Sequence, residues 1–305
     1  MNDLPEPIRR REMLRRSLLG AAALMARPLV GSATPPVAND RARLNLWVRT
    51  LRLEGLTAPT KPLGRAAARV GQLAVGSPYV AGMLDAYAKD GGDPRHEPLT
   101  LDLSRFDCVL LVEGALAVAR AAAHHAAGWD DFAHEVERMR YRGGVRDGYA
   151  SRLHYFSEWI ADNAGRGLLR DLGAELGGTR DERPLRFMTE HRASYAALRD
   201  DATFQSIAER ERTLDSMPRM VVSTDRIAAV QDRIQTGDVL AFATRIAGLD
   251  ATHTGLAYRD RAGVLRVLHA PLSGGAVEVS GRTLPEYVAA IRSATGIMVA
   301  RPLRR

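Results

Sequence analysis

The periodicity of the apolar residues changes once along this chain, and that change limits the folds open to it. Up to about residue 217, apolar residues recur mostly at the three- and four-residue intervals of amphipathic helices. From about residue 219, short β-rich runs alternate with turns that contain Gly and Asp, which is typical of strands. Helices followed by a strand meander predict an α+β fold with a mostly antiparallel sheet.

One helix in the first part is expected to be strongly apolar. Residues 97–107 (EPLTLDLSRFD) alternate like a strand and give way to a helix that begins near Asp107 and ends at about His124. Other helices are expected within 39–70, with a break near Pro59 and Pro62, and within 140–167, 191–217 and 284–294. Strands are expected within 219–224, 237–244, 252–260, 263–271, 274–280 and 296–303.

The first forty residues carry the features of an export signal. Arg15 and Arg16 precede a short apolar run at 18–26, and small residues follow at 31–33. A membrane span needs about 20 apolar residues, whereas this shorter run matches the core of a signal peptide. The paired arginines resemble a twin-arginine signal, which predicts a signal peptide and linker over 1–38 and a periplasmic or secreted mature protein. The alternative is a basic leader that stays attached, and no later segment is long and apolar enough to span a membrane.

The charge of the chain does not favour nucleic acid as a partner. The formal net charge is +7, and residues 1–33 carry six arginines and three acidic residues, so the mature chain is nearer +4. A surplus of this size, spread along the sequence, is not the concentrated basic surface that nucleic-acid binding needs. An apolar content of 46% and a charged content of 26% fit a globular protein.

The single cysteine of the chain, Cys108, directly follows Asp107 at the expected helix start. A lone cysteine in an exported protein forms an intermolecular bridge, is a buried inert thiol, or is reactive. Asp is a favourable N-cap residue, and a thiol in the first helical turn lies near unpaired N–H groups that favour the thiolate. The apolar neighbours Val109 and Leu110 are also compatible with a buried, inert side chain.

Two histidines on neighbouring strand-like runs favour a reactive role for this thiol. His253 begins one run, His269 ends the next, and the intervening RDRAG is hairpin-like. Adjacent antiparallel strands bring such positions within side-chain reach of each other. A cysteine nucleophile needs a base for its proton, and the base needs a third polar group to orient its ring. Cys108, His253 and His269 supply these three parts in order, a pattern that is suggestive but not specific.

Six segments of the mature chain carry a family resemblance. They are GSPYVAGMLD, LDLSRFDCVLLVEGALAVAR, YRGGVRDGYASRLHYFSEWIADN, TEHRASYAAL, GDVLAFATRIAGLDATHTGLAYR and VLHAP. In this order they resemble the N-acetylmuramoyl-L-alanine amidase-like family, which belongs with the papain-like NlpC-type cell-wall cysteine peptidases. The resemblance covers roughly residues 70–305. It implies a papain-like fold, one amidase-like domain over 39–305 and a helical insertion at about 125–218.

The resemblance also implies roles for individual residues. Cys108 matches the nucleophile, His253 the general base and His269 the third, orienting residue. Asp107 matches the acid before the nucleophile, and Tyr79 matches an upstream aromatic residue that lies near the cysteine in relatives. The sequence departs from the family pattern at positions 109 and 110, where Val and Leu replace small or hydroxyl residues.

The implied activity is hydrolysis of an amide bond in peptidoglycan through a thioester, without a metal or another cofactor. The family name implies the bond between the lactyl group of the glycan and L-Ala. Other members of the superfamily cut the stem peptide between D-Glu and the diamino acid, and the sequence does not separate these two bonds. A non-catalytic cell-wall-binding protein and an acyltransferase that uses the same thioester are the alternatives.

The candidates for binding substrate are Tyr79, Asp107, Arg152 and His154. Arg152 and His154 lie in the expected insertion beside the cleft, where Arg152 would contact a carboxylate of the stem peptide. The alternative is an amphipathic helix that packs its apolar residues in the core. Three other histidines lack the spacing of a zinc site, so no metal is expected there; they are His124, His125 and His134.

Overall fold

The second part of the chain builds one antiparallel sheet, in a computed structural model that describes residues 36–125 and 127–304. The strands are β1 (Leu169–Asp171), β2 (Thr179–Arg180), β3 (Met220–Ser223), β4 (Val239–Thr244), β5 (Ala251–Arg259), β6 (Leu265–His269), β7 (Glu278–Val279) and β8 (Ala294–Pro302). Their order is β2-β3-β8-β4-β5-β6-β7, and β1 pairs with β8. Each of these pairings is antiparallel, which confirms the predicted α+β class.

The last strand lies in the middle of the sheet. β4 to β7 form the expected meander, but β8 inserts between β3 and β4. Every residue of β4 is buried, and so are seven of the nine residues of β8. Strands that are apolar on both faces need cover on both sides and a partner on each edge, so these two strands occupy the centre.

The helices pack on both faces of this sheet. They are α1 (Pro36–Leu53), α2 (Leu63–Leu73), α3 (Ala86–Lys89), α4 (Cys108–Ala121), α5 (Trp129–Arg140), α6 (Phe156–Gly165), α7 (Phe187–Glu190), α8 (Asp201–Leu214), α9 (Ile227–Val230) and α10 (Leu284–Ala289). α4 is buried from Leu110 to Ala121 and contacts α1, α2, α5 and β5. The helix predicted near Asp107 is therefore the central helix of the molecule.

The alternation of side chains along β4 separates two apolar clusters. Ala241 belongs to the cluster formed with α1, α2, α4 and α5. Leu240 and Phe242 belong to the cluster on the other face, which includes Leu284 and Val288 of α10. Residues that alternate along a strand point to opposite faces, so the sheet separates two cores.

A third apolar cluster lies within the segment predicted as a helical insertion. It includes Tyr155 and Ile207 and is organised around Glu211, a fully buried acid of α8. The Glu211 carboxylate accepts hydrogen bonds from the Tyr155 hydroxyl and from the Met188 N–H. These bonds compensate the cost of burying a charged group and join α6, α7 and α8.

One prediction of local structure is wrong. Residues 97–107 form no strand, because the Asp102 carboxylate accepts the N–H groups of Ser104 and Arg105 and turns the chain. β1 and β2 lie where no strand was predicted, because they are too short to show a period.

The described residues from Pro36 onward form one compact unit. The signal peptide predicted over 1–38 lies almost entirely outside the described residues. None of the helices in the described ranges is long and apolar enough to cross a bilayer.

Candidate active site

Cys108 is the first residue of α4, and the residue before it fixes this position. The Asp107 carboxylate accepts a hydrogen bond of 2.8 Å from the Leu110 N–H and caps the helix. The half-buried cysteine places its sulfur against the backbone N–H of Thr254, the residue after His253. The fold therefore brings the thiol to the strand that carries His253.

His253 and His269 are hydrogen-bonded to each other across β5 and β6. His253 Nε2 and His269 Nδ1 are 2.8 Å apart, and the ring centroids are 5.1 Å apart. Leu256 pairs with Leu268, so the two histidines are diagonal neighbours on one face of the hairpin. His253 is half-buried and His269 is fully buried.

Two aromatic rings hold the histidine pair in place. Phe242 of β4 pairs with His253 and stacks on its ring at a centroid distance of 5.5 Å. Tyr287 of α10 meets the His269 ring edge-on, and its hydroxyl lies 3.3 Å from His269 Nδ1. Both contacts restrict ring rotation, so the hydrogen bond between the histidines is preorganised.

Tyr79 lies next to the cysteine because its segment pairs with the chain just before α4. Tyr79 and Phe106 form a bridge, and the Val80 N–H donates to the Phe106 carbonyl at 2.9 Å. Burial raises the pKa of Tyr79 to about 12, with smaller contributions from Cys108 and Asp107. The hydroxyl therefore stays protonated at neutral pH and is able to donate a hydrogen bond.

Burial keeps the thiol and both imidazoles uncharged at pH 7. It raises the pKa of the Cys108 thiol to about 12, and the Asp107 charge adds to this. Burial lowers the pKa of His253 to about 3, with a further contribution from His269, and lowers the pKa of His269 to about 4. In each case removal from water disfavours the charged form.

The hydrogen bond between the histidines leaves one nitrogen of His253 available. Its Nε2 is occupied by His269, whereas its Nδ1 has no hydrogen-bond partner among residues 36–125 and 127–304. A neutral imidazole that carries its proton on Nε2 presents an unprotonated Nδ1. That atom is able to accept a proton from a neighbouring thiol.

Arg152 and His154 lie in a different cluster. The buried Arg152 guanidinium forms an ion pair with Asp85 and lies 3.5 Å from Glu97. His154 donates to the Tyr149 carbonyl at 2.8 Å, and burial lowers its pKa to about 3. Neither residue has a hydrogen bond, ion pair or ring contact with the cysteine or the paired histidines in the described part of the chain. Arg152 would have to leave two carboxylates to bind one on a substrate, so its predicted role stays a prediction.

No group of three or more His, Cys, Asp or Glu side chains within the described ranges is arranged to hold a metal ion. His124, one of the three histidines considered for zinc, instead donates to Asp131 at 2.9 Å. His125 is exposed.

Sequence reasoning missed two neighbours of the histidine pair. Tyr287 lies among the apolar residues of α10, and this sequence context predicts an ordinary aromatic residue of the core. Glu278 lies in a two-residue strand, and only its pairing with His269 reveals its position. No motif or spacing in the sequence carries either contact.

The fold and the site define a class: an α+β protein in which a cysteine at a helix start lies against the strand that carries one of two hydrogen-bonded histidines. These are residue types that nucleophilic catalysis uses. The chain belongs to the N-acetylmuramoyl-L-alanine amidase-like family, whose model matches residues 69–297. This confirms the family that the sequence resembles. Membership indicates a hydrolase of the cell wall.

Solved structures of related proteins support the assignment. An N-acetylmuramoyl-L-alanine amidase from Bacteroides uniformis is 27% identical, with 79% of this chain and 99% of that chain covered and a TM-score of 0.72. A Bacteroides fragilis protein provisionally named a xylanase is 32% identical, with 76% and 99% covered and a TM-score of 0.69. A Legionella pneumophila protein at 17% identity shares the fold, with 88% and 96% covered and a TM-score of 0.63. No curated protein sequence matches the chain.

Proposed function

We propose that this protein is an exported, cysteine-dependent amide hydrolase of peptidoglycan. Cys108 is the nucleophile, His253 the general base and His269 the residue that orients the base. The observation that carries the proposal is the hydrogen bond of 2.8 Å between His253 Nε2 and His269 Nδ1, with the helix-start cysteine against the backbone of Thr254, the residue after His253. The family and the name of the Bacteroides uniformis relative support peptidoglycan as the substrate.

The first half of the reaction forms a thioester. His253 Nδ1 takes the thiol proton as the sulfur attacks the carbonyl carbon of the scissile amide. His253, now protonated, gives this proton to the leaving amine, and the C–N bond breaks. Burial favours the neutral thiol and the neutral imidazole in the free protein, so His253 is able to act as a base toward the thiol.

The start of α4 is suited to stabilise the oxyanion that forms during the attack. Asp107 accepts hydrogen bonds from the N–H groups of Val109 and Leu110. The Cys108 N–H is not among the groups that Asp107 accepts, and the first N–H groups of a helix have no partner within the helix. This N–H, with the protonated Tyr79 hydroxyl nearby, supplies the donors that a developing negative charge needs.

The second half of the reaction releases the acid. His253 removes a proton from water as its oxygen attacks the thioester carbon. The C–S bond breaks, the sulfur leaves with the proton from His253, and the free thiol and neutral imidazole return. An amine or hydroxyl acceptor in place of water would make the same site an acyltransferase.

The helix-start cysteine, the antiparallel sheet and the histidine pair support a papain-like fold of the NlpC type with a helical insertion at about 125–218. The family name favours the amide between the lactyl group and L-Ala over the bond between D-Glu and the diamino acid.

Export through the twin-arginine signal would bring the enzyme to this substrate. A reporter fused after residue 38 should leave the cytoplasm, and Arg15→Lys with Arg16→Lys should retain it there; equal export of both forms would refute this route.

Release of soluble fragments from purified peptidoglycan tests the proposed activity. We expect Cys108→Ala and His253→Ala to lower release at least about a thousandfold, since residues that act as one catalytic unit fail together. The exposed His125→Gln is the matched control and should match the wild type. Mass spectrometry of the fragments identifies the bond that was cut.

The same assay separates the alternatives. Fragment release at the wild-type rate by both Cys108→Ala and His253→Ala would refute the cysteine mechanism. Unchanged binding of wild type and Cys108→Ala to peptidoglycan, with no release by either, would identify a wall-binding protein. Products that carry an added amine acceptor instead of a free carboxylate would identify an acyltransferase.

A further inference from the structure

The two ring nitrogens of His269 face chemically different neighbours. Nδ1 lies 2.8 Å from His253 Nε2 and 3.3 Å from the Tyr287 hydroxyl, and both of these groups are able to donate a proton. Nε2 is buried and has no hydrogen-bond partner within the described ranges. The group that faces Nε2 is the carboxylate of Glu278, whose Oε1 is 3.6 Å away.

The fold holds the Glu278 carboxylate at this edge of the ring. Glu278 is directly opposite His269 in the pairing of β6 with β7. The loop between these strands passes close to the carboxylate, since a Cβ at Gly274 would lie 3.0 Å from Glu278 Oε2. The Glu278 side chain remains 49% exposed, so it is able to move the few tenths of an ångström that a hydrogen bond to Nε2 requires.

These neighbours select one tautomer of His269. A carboxylate only accepts, so the nitrogen that faces Glu278 is the one that carries the proton. Nδ1 is then unprotonated and accepts from His253 Nε2–H, which leaves His253 Nδ1 without a proton. In the opposite tautomer, His269 Nδ1–H would donate to His253 Nε2, and His253 would carry its proton on Nδ1. That form cannot act as a base toward the thiol.

We propose that Glu278 is a positioning residue, which fixes the tautomer of His269 and through it keeps His253 Nδ1 free to take a proton. This role rests on the function proposed above. The other titratable groups that face the pair are Tyr287 from α10 and Cys108 from α4. Within the described residues, Glu278 supplies the only carboxylate that comes within 4.0 Å of a ring nitrogen of His253 or His269.

NMR spectra of nitrogen-labelled histidines test the tautomer without any substrate. We expect His269 of the wild type to carry its proton on Nε2, with its signals assigned by comparison with His269→Asn. Glu278→Ala should give a mixture of the two tautomers. Glu278→Gln, whose amide is able either to accept from Nε2–H or to donate to an unprotonated Nε2, should shift the mixture only partly back toward the wild-type form. Protonation of Nδ1 in the wild type, or identical spectra for wild type and Glu278→Ala, would overturn the proposal.

Turnover of peptidoglycan then links the tautomer to catalysis. Glu278→Ala should lower kcat about tenfold while KM changes less than about twofold, because proton transfer and not binding is impaired. Glu278→Gln should recover only part of this loss, because its amide fits either tautomer. Glu182→Ala, which removes an exposed acid paired with Arg180, is the matched control and should retain the wild-type kcat.

The two measurements distinguish failure of the proposed hydrolase from failure of the role proposed for Glu278. A wild type that releases no fragments refutes the proposed hydrolase, while the spectra still decide whether Glu278 sets the tautomer. An active wild type whose Glu278→Ala variant keeps both kcat and tautomer refutes the role of Glu278 alone.

Discussion

At the scale of single residues, the contact between the two histidines depends on a glycine that leaves room for it. A Cβ at Gly255 would lie 3.0 Å from each of three atoms: His269 Cβ, Leu268 O and Val267 Cγ1. These atoms belong to β6, which is paired to β5 and buried on both faces, so the strand cannot yield without moving His269. Gly255 therefore sets the spacing at which His253 reaches His269.

Gly255→Ala should displace β6 and weaken the hydrogen bond of the histidine pair. We expect the free energy of unfolding to fall by about 1–3 kcal/mol, the usual cost of overpacking, and fragment release to fall about tenfold. Urea unfolding and the peptidoglycan assay measure the two effects. Gly281→Ala is the matched control, since a Cβ at Gly281 meets no atom within 4 Å and should change neither quantity. Full activity in Gly255→Ala would contradict this account of the spacing.

At the scale of secondary-structure elements, the N-terminus of α4 decides where the thiol lies. Asp107 has extended backbone angles and its side chain accepts the Leu110 N–H, so the helix begins at Cys108 and not a residue later. The Asp–Cys sequence at the start of an apolar period was sufficient to predict this helix and its first residue. Local capping and periodicity are encoded within a few residues, which is why both were predictable.

One strand that was predicted wrongly and one that was not predicted both depend on contacts that no sequence period expresses. Residues 97–107 alternate like a strand, but the side chain of Asp102 takes the N–H groups that a strand partner would need. β2 contains only Thr179 and Arg180, both exposed. It forms because its backbone pairs with the free edge of β3. Tertiary pairing with β3 created β2, whereas a local side-chain contact replaced the strand expected at 97–107.

Removal of the Asp107 side chain, which caps α4, should both lower the stability of the protein and displace the Cys108 thiol. We expect Asp107→Ala to lower the free energy of unfolding by about 1 kcal/mol, while Asp107→Asn, which keeps an acceptor oxygen, loses less. Asp200→Ala is the matched control, because Asp200 caps α8 through the Thr203 N–H at the same 2.8 Å. Both alanine variants should lose similar stability in urea titrations, but only Asp107→Ala should also lose fragment release. Equal activity of the two would show that the start of α4 does not control the cysteine.

At the scale of the whole molecule, the strand runs were predictable from sequence and their order was not. The position of β8 between β3 and β4 follows from burial on both faces, a property of the assembled sheet. The same limit applies to the site. Cys108, His253 and His269 could be proposed from the sequence because their residue types imply chemistry, whereas the position of Glu278 beside His269 became visible only in the pairing of β7 with β6.

Three histidines of the described residues, one buried and two half-buried, are uncharged in the folded molecule, and this gives its stability a defined dependence on pH. Burial lowers the pKa of His154 and His253 to about 3 and that of His269 to about 4. In the unfolded chain these side chains titrate near 6.5. Below that pH the unfolded state binds more protons than the folded state, so stability is complete above about pH 6.5 and falls as the pH decreases. Asp107, whose pKa burial raises to about 6, opposes this trend by one proton.

His154→Gln should therefore flatten the pH dependence of stability without touching the paired histidines. Glutamine keeps an N–H donor for the Tyr149 carbonyl but cannot take up a proton when the chain unfolds. Between pH 6 and pH 4, the slope of the unfolding free energy against pH should decrease by up to about 1.4 kcal/mol per pH unit, the value for one proton. Urea titrations across this range measure the slope, with His125→Gln at an exposed position as the control. Equal slopes for wild type and His154→Gln would mean that His154 takes up its proton in the folded state, which contradicts its burial as a neutral donor.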